Sequence, residues 1–434
     1  MKIFVSLCPE LNYDAQKFVQ RGLYINLLFI FIYNLTETFF ILQALDFITF
    51  TELGMLLAIQ FAEIAILDYL TGSLGDFIGQ RLVYTLSALF FSIAFIGFSL
   101  STNFYQFFIV FSLIAIAKAQ QSGTWESWFD NNYKAYAPED IDHKSYSDIF
   151  GKYQMIKNFL AAISFLFGGI LLHYSNRSLI FLIQGIIMVV FSVLIPKFLT
   201  NHPQMKKKTQ RWVNYLNVVV DGLYISLNTP ILRLIIIGVV ISSLGWTIFG
   251  EIMLFPMYQS YSKNDFLTGL LRALIKLLGA LSAFVMGKYA KHLNKYQAMN
   301  VLALTSIIYS SFLFFIYFIV FNFFPAENNF QIIPYMVFIL TFGILGYIVN
   351  LHQILLPRFY LEIIPDSVRN SIYSLISTLI LLISVPASIL GGWLLNYYSF
   401  NQLFLFLFVN GLIGGIIMAW AIIRYKNTLK LSYE

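Results

Sequence analysis

Long apolar runs separated by short polar turns dominate the hydropathy pattern of this chain. A bilayer span needs about 20 mostly apolar residues, and these runs are continuously apolar rather than alternating. Because a chain in lipid must satisfy its backbone groups internally, such runs indicate helices rather than the strands of a barrel. The pattern predicts an all-α integral membrane protein with twelve transmembrane helices, at residues 22–45, 52–73, 82–101, 104–128, 150–173, 178–199, 231–257, 265–287, 297–321, 333–357, 370–396 and 400–424.

Positive charges are distributed unevenly over the loops between these spans. With the N-terminus inside, the outer loops hold only Arg177 and Lys263, and nearly all other Lys and Arg residues lie in the inner loops. Lys and Arg mark the cytoplasmic side of membrane proteins. We therefore predict a multi-pass protein of the cytoplasmic (plasma) membrane, surrounded by the lipid bilayer, with both termini cytoplasmic.

The longest polar linker divides the chain near its middle. It begins with Lys206-Lys207-Lys208, and apolar residues then recur at helical spacing. This pattern fits either a helix lying in the inner interface or a plain linker. The predicted organisation is a cytoplasmic arm, a six-helix bundle, a cytoplasmic linker, a second six-helix bundle and a cytoplasmic tail, at residues 1–20, 21–199, 200–230, 231–425 and 426–434.

The two halves share features in the same order. Gly72 to Arg81 follows the second span, and Gly287 to Lys295 follows the eighth. Glu37 in the first span corresponds to Glu251 in the seventh, and the fifth and eleventh spans each contain a Gly-Gly pair. Three matches on corresponding spans indicate a duplication of six spans, a common origin of transporter folds.

Three motifs carry a family resemblance. Gly72-x-x-x-Asp76-x-x-Gly79-x-Arg81, between the second and third spans, resembles the loop signature of the major facilitator superfamily. The segments at 122–128 and 365–371 are similar to others of that family. The resemblance covers residues 20–425 and implies two six-helix bundles around a central cavity. In the second half Lys291 and Asn294 depart from the loop pattern, so we expect the motif to act mainly in the first half.

The resemblance also implies a gate at the inner membrane face. Asp76 would lie at the N-terminus of the eleventh span, where free N–H groups favour an anion, and Arg81 would pair with an acid of the fourth span. Static bracing of the bundle is the alternative role. The predicted gating residues are Gly72, Asp76, Gly79, Arg81, Glu126, Asp130 and Arg369.

Charged residues inside the spans are candidates for solute or proton coupling, because burying a charge in lipid costs several kcal/mol. By the family fold, Glu37 and Glu251 would face each other across the cavity, where either could carry a coupling proton or hold a cationic solute. A mixed set of acids and bases would bind a zwitterion or an anion as readily as a cation. Internal ion pairs without ligand contact are the alternative. The predicted residues are Glu37, Glu63, Asp68, Lys118, Glu251, Arg272 and Lys276.

Composition narrows the functional class. The chain is 59% hydrophobic and 11% charged, whereas soluble domains carry about 25% charged residues. The net charge of +6 is spread over loops rather than one soluble face, which argues against a nucleic-acid partner. The sequence contains no P-loop, no His/Cys cluster with metal spacing and no catalytic motif. We therefore expect no enzyme activity, no metal and no cofactor beyond H⁺ as a coupling ion.

These observations predict a monomeric secondary active transporter with a small-molecule solute. The favoured function is export of a partly hydrophobic compound in exchange for protons. Uptake of a nutrient, a sugar or an amino acid, is the alternative. A non-transporting sensor or scaffold on the same fold is the alternative of another class, although the intact loop motif and the retained pair of acids argue against it.

Overall fold

The structure is a computed structural model that describes residues 11–74, 78–122, 124–140, 144–200, 224–324, 332–364 and 369–431. Within these ranges the secondary structure is helical. Twelve helical segments among the described residues are long and apolar enough to cross a membrane. The prediction of an all-α protein with twelve spans is confirmed. The predicted interfacial helix lies largely outside the described residues, which include only a helical turn at 224–228 of that linker.

Among the described residues, the first six spans contain eight α-helices and one 3₁₀ turn. The first span is interrupted, so that α1 and α2 flank the 3₁₀ turn Glu37–Phe39, and α5 and α6 together make the fourth span. The helices are α1 Tyr13–Asn34, α2 Phe40–Leu45, α3 Phe50–Leu74, α4 Gln80–Leu100, α5 Phe104–Gln121, α6 Thr124–Tyr136, α7 Lys144–Tyr174 and α8 Arg177–Phe198.

In the described part of the second half, the last six spans contain seven α-helices and one π-helical segment. The seventh span is interrupted as the first one is, with α9 and α10 flanking the π segment Ile248–Met253. The helices are α9 Pro230–Thr247, α10 Leu254–Ser262, α11 Asp265–His292, α12 Lys295–Phe323, α13 Ile332–Ile363, α14 Arg369–Tyr397 and α15 Phe400–Leu431.

Asparagine caps explain why some helices begin where they do. The side chain of Asn12 accepts a hydrogen bond from the Ala15 N–H at 2.8 Å, and Asn176 caps α8 in the same way through Leu179 N–H at 2.8 Å. Such caps satisfy N–H groups that a helix leaves free at its start. The first helix therefore begins at Tyr13, inside the predicted cytoplasmic arm.

The departure of the second-half loop from the family pattern has a local structural reason. In the first half Gly79 precedes α4 with a φ of 96°, a conformation that favours glycine. In the second half Asn294 stands at the corresponding position with a φ of −70°. Its side chain caps α12, and Gln297 completes a capping box with the Asn294 N–H at 3.1 Å. A side-chain cap thus replaces the glycine turn.

The described residues fall into two compact units that differ from the two sequence halves. The first unit contains those of Met1–Ile48, Ala62–Gln210 and Asp265–Lys276, and the second those of Thr49–Phe61, Arg211–Asn264 and Leu277–Glu434. The first part of α3 therefore belongs with helices of the second half, and the first part of α11 with helices of the first half. Both parts lie at the ends that the charge pattern predicts to be outside.

Glycine pairs make each of these exchanged contacts. In the second unit a Cβ added to Gly392 would lie 2.9 Å from the Gly54 Cα, so α14 and α3 cross backbone against backbone. In the first unit a Cβ added to Gly269 would lie 3.0 Å from the Gly169 Cα, where α11 crosses α7. Gly54 and Gly269 occupy corresponding positions of the repeat, as do Gly169 and Gly392. The duplication therefore preserves the same close crossing twice, as small residues permit in membranes.

Aromatic side chains fill the core of each unit. In the first unit the ring centroids of Phe98 and Phe181 are 4.8 Å apart. In the second unit Tyr317 and Phe338 meet edge to face at 5.1 Å, and Phe249 and Phe314 at 5.4 Å. Because lipid tails are as apolar as these side chains, packing geometry rather than water exclusion favours these contacts.

Candidate functional site

The first span breaks at the 3₁₀ turn that carries Glu37. Carbonyls at the end of α1 accept hydrogen bonds from side chains: Phe31 from Ser164 Oγ at 2.5 Å, and Ile32 from Gln184 Nε2 at 2.7 Å. The Ile32 carbonyl also accepts a long backbone hydrogen bond from the Leu35 N–H at 3.4 Å. Irregular backbone at membrane depth is tolerated where neighbouring side chains satisfy it. α7 and α8 thus supply the polar groups that allow this break.

The seventh span is irregular at the corresponding position. Glu251 lies in the π segment Ile248–Met253, and its side chain is exposed. Short 3₁₀ and π segments inside longer helices are frequent at functional sites. In transporters with internal repeats, interrupted spans at corresponding positions of the two halves indicate the binding site. This pair of interruptions therefore makes Glu37 and Glu251 the first candidates among the acids for a functional role.

Glu37 forms an ion pair with Arg272. The Arg272 Nη2 atom lies 3.6 Å from Glu37 Oε1, which is too long for a hydrogen bond. The guanidinium group lies over the Phe165 ring, 5.3 Å from its centroid. Phe165, Ala161 and Ala273 form a small buried cluster that joins α7 to α11. The pair therefore connects a helix of the first repeat with one of the second, inside one compact unit.

Two further bases accompany this ion pair. Lys276 follows Arg272 by one helical turn on the same face of α11. It lies close enough to Glu37, Arg272 and Lys157 for their charges to act on it. Lys157 is on α7, two helical turns before Phe165. We call Glu37, Lys157, Arg272 and Lys276 the charge cluster.

Other sequence-predicted candidates have separate surroundings. Glu63 accepts a hydrogen bond from Ser112 Oγ at 2.9 Å, and no cation of the described residues forms an ion pair with it. Asp68 hydrogen-bonds Ser122, between α5 and α6. Lys118 is half-buried on α5. The structure thus brings Glu37, Arg272 and Lys276 together but does not join Glu63 to them.

The gating prediction lies partly outside the described residues. This applies to Asp76 and to the surroundings of Gly72 and Arg369. Arg81, Glu126 and Asp130 are half-buried, and the ion pairs among described residues do not include one between Arg81 and either acid. The gating network therefore stays a prediction.

The family-like segment at 122–128 contributes to packing. Trp125 and Trp128 are buried. The Trp125 indole donates to the Gly22 carbonyl at 3.2 Å and stacks on Tyr153 with centroids 5.2 Å apart. The segment thus fixes α6 against α1 and α7.

Sequence reasoning missed two basic residues of interest. Lys157 lies in the first part of the predicted span 150–173, where its position alone groups it with the bases of the inner face. Arg177, one of the two bases in the predicted outer loops, donates through its guanidinium to Asp46 at 2.7 Å and to Asp265 at 2.8 and 2.9 Å. The sequence does contain a signal for this contact. A base in a loop region that is poor in bases requires an acidic partner. These contacts join the start of α11 to the first repeat.

Comparisons with known structures place this architecture among transporters. The nucleoside transporter NupG matches with a TM-score of 0.69 and 12% identity, over 94% of this chain and 98% of that one. A proton-dependent oligopeptide transporter matches with a TM-score of 0.66 and 16% identity, over 96% of this chain and 100% of that one. A bacterial homolog of the human lysosomal transporter Spinster matches with a TM-score of 0.62 and 11% identity, over 96% of this chain and 97% of that one. At these identities the similarity shows the fold alone.

No curated protein matches the sequence. The family model of the Major Facilitator Superfamily matches residues 22–385, which confirms the resemblance carried by the loop motifs. The chain is therefore a multi-pass membrane protein with a transporter fold, and it belongs to the Major Facilitator Superfamily.

Proposed function

We propose that this protein is a proton-coupled secondary transporter that moves a small solute by alternating access, with Glu37 as the coupling acid. The observation that carries the proposal is the ion pair between Glu37 and Arg272, at 3.6 Å, between helices of the two repeats. Protonation of Glu37 removes its charge and with it the attraction to Arg272. The protonation state of one residue therefore changes the free energy of a contact between the repeats.

The position of Glu37 supports this role. The carboxyl lies in a helix interruption, where backbone dihedrals change more easily than inside a regular helix. Its Oε2 atom is buried and forms no hydrogen bond with the described residues. Glu251, in the corresponding interruption of the second repeat, is the next candidate.

Export of a partly hydrophobic compound in exchange for protons, across the cytoplasmic membrane, is the first form of this function. The aromatic content of 18% offers many apolar contacts for such a compound. Uptake of a charged nutrient is the second form, and the charge cluster favours it because charged groups in a span are suited to a polar solute.

Proton movement in proteoliposomes tests the proposal. The native protein, Glu37→Gln and Glu251→Gln are reconstituted with an internal pH dye, and amphiphilic cations, sugars and amino acids are added outside. Glu362→Gln is the matched control, because this acid pairs with Lys295 in an exposed position of the other compact unit. We expect solute-dependent proton flux in the native protein and the control, and its loss in Glu37→Gln.

The sign of the flux separates the two forms of the function. Solute added outside acidifies the lumen if solute and proton move together, and makes it more alkaline if they exchange. Full flux in Glu37→Gln would refute the role of Glu37. Absence of flux with every solute would favour the non-transporting scaffold.

A further inference from the structure

We infer that a pocket of the first unit, at the membrane face predicted to be cytoplasmic, binds the headgroup of an anionic phospholipid. Lys17 and Arg21 would hold its phosphate oxygens. No residue of the charge cluster lines this pocket. The lipid would therefore be a second ligand, distinct from the transported solute, and its binding does not depend on the proposed function.

The pocket lies between the start of α1, α6 and the end of α8. Its volume is about 170 Å³, several times the space that one water molecule requires. Phe18 and Tyr136 line it with aromatic rings that stack with centroids 4.8 Å apart. Asn12 holds α1 against α6 by donating to the Tyr136 carbonyl at 3.0 Å and to Glu139 Oε1 at 2.9 Å. Packed side chains therefore form the pocket before any ligand enters.

Two bases of the pocket lie on one face of α1. Lys17 and Arg21 are one helical turn apart, and both are exposed. The ion pairs among the described residues include neither of them. Lys17 Nζ lies 6.0 Å from the centroid of the Tyr13 ring, at the limit of a cation–π contact. Both bases are therefore in a position to donate hydrogen bonds to an anion.

One acid, Asp14, also lines the pocket. It lies in the first turn of α1, where the helix dipole favours a carboxylate. Two bases and one acid leave a net charge of +1, which the single negative charge of a phosphate diester would balance. The carboxylate accepts hydrogen bonds but repels a second anion. A headgroup with one phosphate diester and free hydroxyl groups, such as phosphatidylglycerol, therefore matches these three side chains.

The depth of the pocket favours a lipid over a soluble anion. Arg21 directly precedes the predicted first span, residues 22–45. Tyr13 and Tyr24 flank the two bases on α1 and are 76% and 58% exposed. Exposed tyrosines at the end of a span are typical of the membrane interface, where bases attract anionic headgroups. Phe198 lines the pocket and is exposed as well, so it offers an apolar surface to the acyl chains.

The experiment measures ligand binding by the purified full-length protein in detergent, through native mass spectrometry and thermal melting. The probes are phosphatidylglycerol, phosphatidylcholine and inorganic phosphate. We expect phosphatidylglycerol to bind and to raise the melting temperature. Phosphatidylcholine should bind more weakly because its headgroup has no net charge, and inorganic phosphate should leave the melting temperature unchanged because it has no acyl chains.

The variants assign the binding to the pocket. Lys17→Gln and Arg21→Gln should each raise the Kd of phosphatidylglycerol about fivefold, and the double variant about 25-fold, as expected for bases that attract an anionic headgroup. Lys134→Gln removes an exposed base of α6 that does not line the pocket and should leave the Kd unchanged. Thr200→Trp keeps every charge but places a large side chain at the exposed edge of the pocket, so it should also weaken binding. Melting without lipid checks that each variant is folded.

Four results would overturn the assignment. Equal weakening in Lys134→Gln and Lys17→Gln would show a general attraction between a basic face and anionic lipid. Full binding in the folded Thr200→Trp variant would place the lipid outside the pocket. Binding of inorganic phosphate as strong as that of phosphatidylglycerol would remove the lipid as the ligand. Equal binding of phosphatidylcholine would remove the requirement for an anionic headgroup.

Discussion

Replacement of Gly392 by alanine tests whether backbone contact holds α14 against α3. The new Cβ would lie 2.9 Å from the Gly54 Cα and would overlap the Phe50 carbonyl oxygen. Carbon atoms pack at about 3.5–4.0 Å, so the helices must separate by up to about 1 Å. Because the obstacle is backbone on both sides, no side-chain rotation relieves it.

The size of the effect follows from this overlap. Inserting a methyl group into a closely packed contact costs about 1–3 kcal/mol, which shifts an equilibrium by about 5- to 150-fold. The added methyl group raises the free energy of the conformation in which α14 and α3 are in contact. Gly279→Ala, on α11, is the matched control because a Cβ there meets no atom within 4 Å.

Disulfide formation measures the separation directly. Thr51 and Asn396 lie one turn from the glycines, with Thr51 Oγ1 and Asn396 Nδ2 2.5 Å apart. In a Cys8→Ser background, the pair Thr51→Cys/Asn396→Cys should cross-link rapidly on mild oxidation. Gly392→Ala should slow this rate at least about fivefold, and Gly279→Ala should leave it unchanged. An unchanged rate in Gly392→Ala would refute the close crossing.

Three other contacts give predictions for melting of the protein in detergent. Arg177→Gln should lower the free energy of unfolding by about 2 kcal/mol, because its hydrogen bonds to Asp46 and Asp265 are lost. Arg177→Lys should lower it by less. Equal losses in the two variants would contradict the contact of Arg177 with two acids. Asn294→Ala should cost about 1 kcal/mol through loss of the cap, and Asn294→Ser much less; similar costs would argue against capping. Gly79→Ala should cost about 1–2 kcal/mol because its φ is 96°, and a neutral effect would disprove that conformation.

The number and type of spans follow from the sequence because continuous apolar runs have one stable solution in lipid. The ends of the helices do not follow from the apolar runs, because capping residues outside each run determine where the helix begins or ends. Asn12 begins α1 well before the first predicted span, and α6 continues to Tyr136 beyond the predicted end of the fourth. Hydropathy reports the membrane thickness, whereas hydrogen bonding of the end groups decides where a helix stops.

The members of the charge cluster were recognisable as costly residues in apolar runs, but their pairing was not. Glu37 and Arg272 are distant in sequence, and only the packing of Phe165 against Ala273 brings their helices together. The interruption at Glu37 was equally hidden, because no proline lies near it in the first span. It depends on distant partners such as Ser164 and Gln184, which donate to carbonyls at the end of α1. The interruption at Glu251 has a local signal, because Pro256 follows the π segment and cannot donate to the Ile252 carbonyl.

The two glycine crossings have a consequence for how this protein tolerates sequence change. Each crossing is made by main-chain atoms, so the surfaces that meet there have no side chain with which to recognise a solute. Recognition must then depend on residues elsewhere, such as the charge cluster. A relative that evolves a new solute is therefore free to alter the cluster while the crossings stay fixed, and substitutions at Gly54, Gly169, Gly269 and Gly392 should impair transport of every solute alike.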